Sequence, residues 1–207
     1  PYAKTGEVEL RITAKADTLG EAQALIAPVE KELCEMFGPL VYGADVDSLE
    51  QVVAMHLKLK GLTLGCAESC TGGLAAKRMT DLPGASAVFK GGVVSYTNEV
   101  KQNVLGVPQA LLEEYGAVSE QVAAAMARGA RKVLGCDLAL AVTGVAGPDP
   151  DDRGNPVGLV YVALAAPDGV RVRTLHQGMG RERIRITSAS HAFDMARRWL
   201  TGLPDGE

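Results

Sequence analysis

Several features that would fix a function at once are missing from these 207 residues. No stretch concentrates lysine and arginine, and the formal charge is −4, so the electrostatic footprint of a nucleic-acid binder is lacking and a small-molecule role gains. His56, His176 and His191 stand apart from one another and from Cys34, Cys66, Cys70 and Cys136, which form no CxxC pair. Metal-ligand spacing is therefore absent, and no metal is expected. Neither a signal peptide nor an apolar run of membrane-spanning length is present, so the chain reads as a reduced, cytoplasmic protein with no membrane partner. The strings G-x-x-x-x-G-K-[ST] and G-x-G-x-x-G do not occur, which speaks against a P-loop or a dinucleotide fingerprint. There is no internal repeat and no low-complexity tract. The chain opens at Pro1 and enters a strand almost at once, the look of a piece cut from something longer.

What is present can bury a core: 47% of the residues are hydrophobic and 22% charged. Val8 to Ala14 alternates apolar and polar in strand fashion, and Thr18 precedes a helical pattern carrying Ala22, Leu25, Ile26, Val29 and Leu33, interrupted or kinked at Pro28. Leu40-Val41-Tyr42 reads as a second short strand. Residues 1–43 are thus expected to form a small βαβ module, with four basic against seven acidic residues. It is KH-like in outline, but its acidity and the lack of a GxxG loop argue against RNA binding.

From residue 46 to 207 the pattern is that of one larger domain. Asp47 or Ser48 caps a helix running to Gly61, and Leu62 to Ala67 has strand length. Ala87-Val88-Phe89 and Gly91 to Tyr96 read as strands, Thr97 and Ser119 cap helices, and Leu138 to Val142 looks like a strand covered on both faces. Val157 to Ala166 and Val170 to His176 flank the turn Pro167-Asp168-Gly169, and Arg181 to Leu200 closes as a helix with one buried face. Strands mixed with helices of this length predict a three-layer α/β/α sandwich with a mixed, mostly parallel sheet.

In such sheets ligands bind off the carboxyl ends of the strands. Three loops there have chemical content. The first, Glu68-Ser69-Cys70-Thr71-Gly72-Gly73, passes from strand to helix, and its N–H groups from Cys70 to Gly73 suit a phosphate or a developing oxyanion. The second carries Tyr96 and Lys101, and the third Thr143, Gly144, Ala146 and Gly147. A serine with a tyrosine and a lysine makes an acylating site, the lysine taking the serine proton directly or lowering the tyrosine pKa so that the phenolate does. The blander account is that Ser69 or Thr71 caps the following helix, Lys101 is solvated and Tyr96 packs with its hydroxyl in water; on capping statistics alone that account is commoner.

The strings Ala67-Glu68-Ser69-Cys70-Thr71-Gly72-Gly73, Pro83-Gly84-Ala85-Ser86, Val94-Ser95-Tyr96-Thr97-Asn98-Glu99-Val100-Lys101, Thr143-Gly144-Val145-Ala146-Gly147-Pro148 and Pro156-Val157-Gly158 resemble, in order, the C-terminal domain of the competence-damage inducible protein A (CinA) family. The resemblance covers about residues 46 to 201. Residues 1–43 look like the family's middle module, while its larger N-terminal domain, associated with ADP-ribose pyrophosphatase activity, has no counterpart in these residues. Members of the family hydrolyse the carboxamide of nicotinamide mononucleotide to nicotinate mononucleotide and ammonia. The resemblance implies Ser69 as nucleophile, with Tyr96 and Lys101 as activating partners and no cofactor. Glu68 would orient the lysine or the substrate hydroxyls. N–H groups around Gly144 to Gly147, with Arg181 or Arg185, would hold the phosphate. Where many members carry a glycine run before Pro156, this chain has Asp149 to Asn155. A homo-oligomer is expected. The rivals are a nucleotide-binding regulatory module without chemistry and a serine hydrolase for a different amide.

Overall fold

A computed structural model describes residues 1–205, and its main body follows from the residues that start and stop each element. Ser48 accepts the Gln51 N–H at the head of α2 (Leu49–Lys60), which ends at Gly61. Strand β3 (Leu64–Glu68) leads through the serine turn into the short helix α3 (Leu74–Thr80). Of Ala87-Val88-Phe89, expected as a strand, Ala87 ends a 3-10 turn (Ala85–Ala87), and β4 is the single run Phe89–Val94. Thr97 caps α4 (Asn98–Asn103), α5 spans Gln109–Tyr115, and Ser119 caps α6 (Glu120–Leu134). Strands β5 (Leu138–Gly144), β6 (Leu159–Ala166) and β7 (Gly169–His176) follow, and then α7 (Arg181–Thr201).

The five strands lie in the order β4-β3-β5-β6-β7. β4, β3 and β5 pair in parallel, whereas β6 is antiparallel to both of its neighbours, so four strands share one direction. The two faces differ in residue size because alternate side chains point to opposite faces. On one, Leu138, Leu140 and Val142 of β5 meet Val53 and Leu57 of α2, Met79 of α3 and Ile184, Phe193 and Leu200 of α7. On the other, Ala139, Ala141, Ala163 and Ala165 meet Val122, Ala123, Met126 and Ala127 of α6. Each fully buried large side chain stabilises the fold by about 1.5–3 kcal/mol. The alanine floor lets α6 sit close, and Gly129 extends that closeness: a Cβ there would stand 2.0 Å from the Leu105 carbonyl oxygen. The molecule is thus a three-layer α/β/α sandwich, as its pattern of strands and helices predicts.

The N-terminal segment departs from the expected βαβ order. β1 (Tyr2–Lys4) and β2 (Glu7–Glu9) form an antiparallel hairpin, followed by α1 (Leu19–Phe37) and a 3-10 turn at Gly38–Leu40, and Leu40-Val41-Tyr42, expected as a strand, forms none. Alternation runs on past Glu9, but strand pairing needs a partner, and only Glu7 to Glu9 have one. α1 passes through Pro28 without a break, and Thr18 and Glu21 close a capping box at its head. A two-stranded ribbon is marginal alone. This one is tied down by Arg78 of α3, which donates to Glu7 at 2.8 Å, Glu50 at 2.5 Å and Ser190 at 2.8 Å, while Tyr42 donates its hydroxyl to Glu7 at 2.7 Å. Arg197 of α7 likewise donates to the Pro39 carbonyl at 2.7 Å. No helix among the described residues is long and apolar enough to cross a membrane.

Candidate active site

Because β4, β3 and β5 are neighbours and parallel, the loops at their carboxyl ends lie side by side. The ladder continues one residue past β3: the Ser69 N–H donates to the Val142 carbonyl at 2.9 Å, and the Ser95 N–H to the Glu68 carbonyl at 2.8 Å. Ser69 is therefore held on both sides by rigid strand ends. Beside it opens a cavity of about 440 Å³, within the usual size of a small-molecule site. Ser69, Cys70, Tyr96 and Lys101 line it, together with Thr143, Gly144 and Ala146. At Gly144 there is no room for a side chain, since a Cβ would lie 2.6 Å from Val160 Cγ2. Thr143 donates its hydroxyl to the Ala117 carbonyl at 2.7 Å, which ties β5 to the loop before α6.

Lys101 is not solvated; it is 1% exposed, and its Nζ sits 3.1 Å from Ser69 Oγ, 2.8 Å from the Ser95 carbonyl and 3.4 Å from the Tyr96 carbonyl. Three acceptors satisfy an ammonium. A neutral amine keeps two N–H groups for the carbonyls and turns its lone pair toward the serine hydroxyl. Burial drives the lysine toward that neutral form, lowering its pKa from 10.5 to about 8, against a weaker opposing pull from Cys70. Cys70 is the other potential nucleophile on the wall, but burial pushes its thiol up to about 12, so it stays protonated at neutral pH.

Glu68, placed by sequence in a substrate role, faces away from the cavity. Its carboxylate accepts the N–H groups of Gly73 at 3.1 Å, Ala75 at 3.0 Å and Ala76 at 2.8 Å, and so caps α3 from the preceding strand. No side chain at the helix head takes that role. Ser69 is thus free of the capping duty that would have been its blander explanation, and the Thr71 hydroxyl, fully buried, has no partner among the described residues. The run of free N–H groups expected from Cys70 to Gly73 is shortened for the same reason. Gly73 serves Glu68 and Gly72 donates to the Ser69 carbonyl at 3.1 Å, which leaves the Cys70 and Thr71 N–H groups unspent among the described residues. Thr71, Gly72 and Gly73 do not line the cavity; nor does Gly147, whose carbonyl accepts from Arg181 at 2.6 Å.

Tyr96 also departs from its expected place. Its side chain is 60% exposed at the cavity mouth, and its hydroxyl accepts from Arg181 at 3.3 Å rather than meeting Lys101 or Ser69. Only its backbone carbonyl touches the lysine. Of the two arginines expected to hold a phosphate, Arg181 lines the cavity, while Arg185 is spent on the backbone of the serine turn, donating to the Cys70 carbonyl at 3.1 Å and the Thr71 carbonyl at 2.7 Å.

The sequence reading missed the opposite wall. Asp151, Asp152 and Arg153 line it from the loop between β5 and β6. Arg153 donates to the last carbonyls of α5, those of Leu112, Glu113 and Glu114. Asp151 braces the loop from within, accepting from the Arg153 and Asn155 N–H groups and from the Asn155 amide. Asp and Asn four apart in a polar loop were the available signal. Among the described residues no three His, Cys, Asp or Glu side chains gather where they could hold a metal ion.

Known proteins match both parts of the chain. Residues 46–200 match the CinA C-terminal domain and residues 1–43 the damage-inducible protein CinA KH domain. A CinA-like protein from Desulfovibrio desulfuricans is 50% identical over 207 residues, covering 99% of this chain and 49% of its own length. A putative competence-damage inducible protein from Caldanaerobacter subterraneus subsp. tengcongensis is 47% identical over 202 residues, 98% of this chain and 49% of its own. The chain therefore spans about half the length of these curated relatives. Among solved structures, a CinA superfamily protein from Klebsiella pneumoniae superposes with a TM-score of 0.72 at 29% identity, covering 75% of this chain and 99% of its own. The competence/damage inducible protein CihA from Agrobacterium tumefaciens gives a TM-score of 0.69 at 39% identity, covering 75% and 95%. With family models matched across nearly its whole length and relatives at half identity, the chain belongs to the CinA family.

Proposed function

We propose that this chain is a serine amidase that hydrolyses the carboxamide of nicotinamide mononucleotide, releasing ammonia and nicotinate mononucleotide. The observation that carries the reading is the buried pair of Lys101 Nζ and Ser69 Oγ, 3.1 Å apart, with the lysine pKa lowered to about 8. At pH 7.5 about a quarter of such lysines are neutral, against about a thousandth of ordinary ones. The neutral amine takes the Ser69 proton as Oγ attacks the carboxamide carbon, and the carbonyl electrons move onto oxygen. The Cys70 N–H, unspent and on a residue of the cavity wall, is the donor left over to meet that oxyanion. The lysine then passes its proton to the leaving nitrogen, ammonia departs, and an acyl ester remains on Ser69. Water attacks the ester, Lys101 takes its proton and returns it to Ser69 Oγ, and the acid leaves.

The amide is assigned on the family resemblance and on the size and polarity of the cavity mouth. Arg181, fixed by Gly147 and Tyr96, is the cation best placed for a phosphate there. In this reading Tyr96 shapes the mouth and does not move the proton. Incubating the purified protein with nicotinamide mononucleotide and measuring ammonia tests the proposal. Ammonia release that Ser69→Ala abolishes supports it; binding without ammonia favours a regulatory module; and hydrolysis of other amides but not this one would replace the substrate while keeping the site.

A further inference from the structure

We infer that Arg153 is a positioning residue that sets substrate affinity by holding two parts of the cavity wall together, an inference that rests on the amidase reading above. Asp151 and Arg153, from the loop between β5 and β6, line the cavity beside Leu112, Gly116 and Ala117, from α5 and the turn after it. Each of these segments is ordered by itself. Asp151 closes the loop on itself, accepting from the Arg153 N–H at 3.0 Å and from the Asn155 N–H and side-chain amide at 2.8 Å each. Leu112 seats α5 in the apolar layer under α6, and the Thr143 hydroxyl holds the Ala117 carbonyl.

What joins the two segments is Arg153. Among the described residues its guanidinium makes the only hydrogen bonds between the loop and α5: Nη1 donates to the Glu114 carbonyl at 3.0 Å, and Nη2 to the Leu112 carbonyl at 3.2 Å and to that of Glu113. A helix end leaves its last carbonyls without intrahelical partners, and it favours a cation. The Gly116 N–H serves Leu112, while the carbonyls of Glu113 and Glu114 have no backbone donor among the described residues, so the arginine supplies what the helix lacks. Gly116 makes room for the arm: its φ is +79°, and a Cβ there would stand 2.6 Å from Arg153 Cδ. A planar fork can serve several acceptors at once, which the point charge of a lysine cannot.

The reacting pair is held by other means. Ser69 is fixed by the ends of β3 and β5, and Lys101 by the Ser95 and Tyr96 carbonyls. Loss of Arg153 therefore leaves Ser69 and Lys101 together while the loop parts from α5. Wall contacts that the substrate makes equally in its ground and transition states contribute to KM and not to kcat, so the damage is expected in affinity. A small reagent that needs only Ser69 and Lys101 should not feel it.

The test compares wild type, Arg153→Ala, Arg153→Lys and Arg128→Ala. Ammonia release from nicotinamide mononucleotide gives kcat and KM, and calorimetry gives the Kd of the same compound. Diisopropyl fluorophosphate then reports the reacting pair alone: an Oγ–P bond forms on Ser69, the P–F bond breaks, fluoride leaves and Lys101 takes the hydroxyl proton. Arg153→Ala is expected to raise KM about 10-fold or more, with kcat and the labelling rate within about threefold of wild type. Arg153→Lys keeps the charge without the fork and should fall between; it also guards against an alanine variant that does not fold. Arg128→Ala removes an exposed arginine of α6 that does not line the cavity and should match wild type. An unchanged KM in Arg153→Ala, a full return to the wild-type KM in Arg153→Lys, or a fall in kcat and labelling as large as the rise in KM overturns this inference and leaves the amidase reading standing. A wild type that binds the nucleotide without releasing ammonia overturns the reaction, and the change in Kd between wild type and Arg153→Ala still decides the role of Arg153. A wild type that neither binds nor hydrolyses it overturns the substrate and this inference with it.

Discussion

Replacing Lys101 by methionine separates what the buried charge costs from what it does. Methionine keeps much of the length and apolar body but carries no proton, so stability differences between wild type and variant that change with pH report the lysine alone. In the unfolded chain the amine titrates near 10.5, and in the fold near 8 because burial opposes its charge. Below pH 8 both states hold the proton and the fold bears the whole cost. As pH rises from 8 to 10.5 the folded amine has already lost its proton while the unfolded one has not, so wild type gains stability relative to Lys101→Met; above that window the difference is flat. The full change is about 3 kcal/mol, of which about 2 kcal/mol falls between pH 7 and pH 9.5. The Ser95 carbonyl left without its donor in the variant is a constant offset and does not alter the slope. Urea unfolding of both proteins at several pH values measures this, and kcat/KM for ammonia release should rise along a limb with an apparent pKa of about 8. A stability difference flat from pH 7 to 9.5, or a rate still climbing above pH 10, would refute the claim that burial has primed this lysine.

Three further outcomes are expected. Ser69→Ala should cut ammonia release by several orders of magnitude while shifting stability by less than about 1 kcal/mol, because the hydroxyl does not cap α3; combining it with Lys101→Ala should be scarcely worse than either change alone, as a rate assay on all three proteins will show. Glu68→Gln leaves one good acceptor for three N–H groups at the head of α3 and should lower stability by about 1–3 kcal/mol, read as a lower urea midpoint with an unchanged slope. Arg78→Ala strips Glu7 and Glu50 of their shared partner, so amide exchange in Tyr2–Glu9 should speed up while the amides of β5 keep their protection.

Much of the main body was legible because its signals are local. The apolar run at Leu138–Val142, the turn at Pro167-Asp168-Gly169 and the caps at Ser48, Thr97 and Ser119 each act within a few residues, and each is found in the fold. The N-terminal segment was misread where pairing decides. Alternation from Val8 to Ala14 does not say whether a partner strand is present, and of Leu40-Val41-Tyr42, which suggested a strand, Leu40 closes a 3-10 turn and Val41 and Tyr42 pair with no strand. The site divides in the same way. Ser69 and Lys101 could be matched because one ends a strand and the other lies on the first turns of the next helix but one. That Glu68 turns back to cap α3 while Ser69 faces the cavity depends on the pleat of β3 and on which N–H groups are short of acceptors. Arg185 and Arg153 act on carbonyls far away in sequence, which no spacing rule reaches.

The distance between the serine turn and its arginine also orders events during synthesis. Ser69 and Lys101 are 32 residues apart, whereas the Cys70 carbonyl and Arg185 are separated by 115. At roughly 5–20 residues per second, a ribosome extends the chain for roughly 6–23 s after Ser69 is made before the arginine exists. Until α7 emerges and lies down on the sheet, the face carrying Leu138, Leu140 and Val142 is open and the turn beside Ser69 is held only by its own short bonds. A nascent chain would therefore carry Ser69 and Lys101 early but gain the bonds from Arg185 to the serine turn late, with the helix that also seals the core.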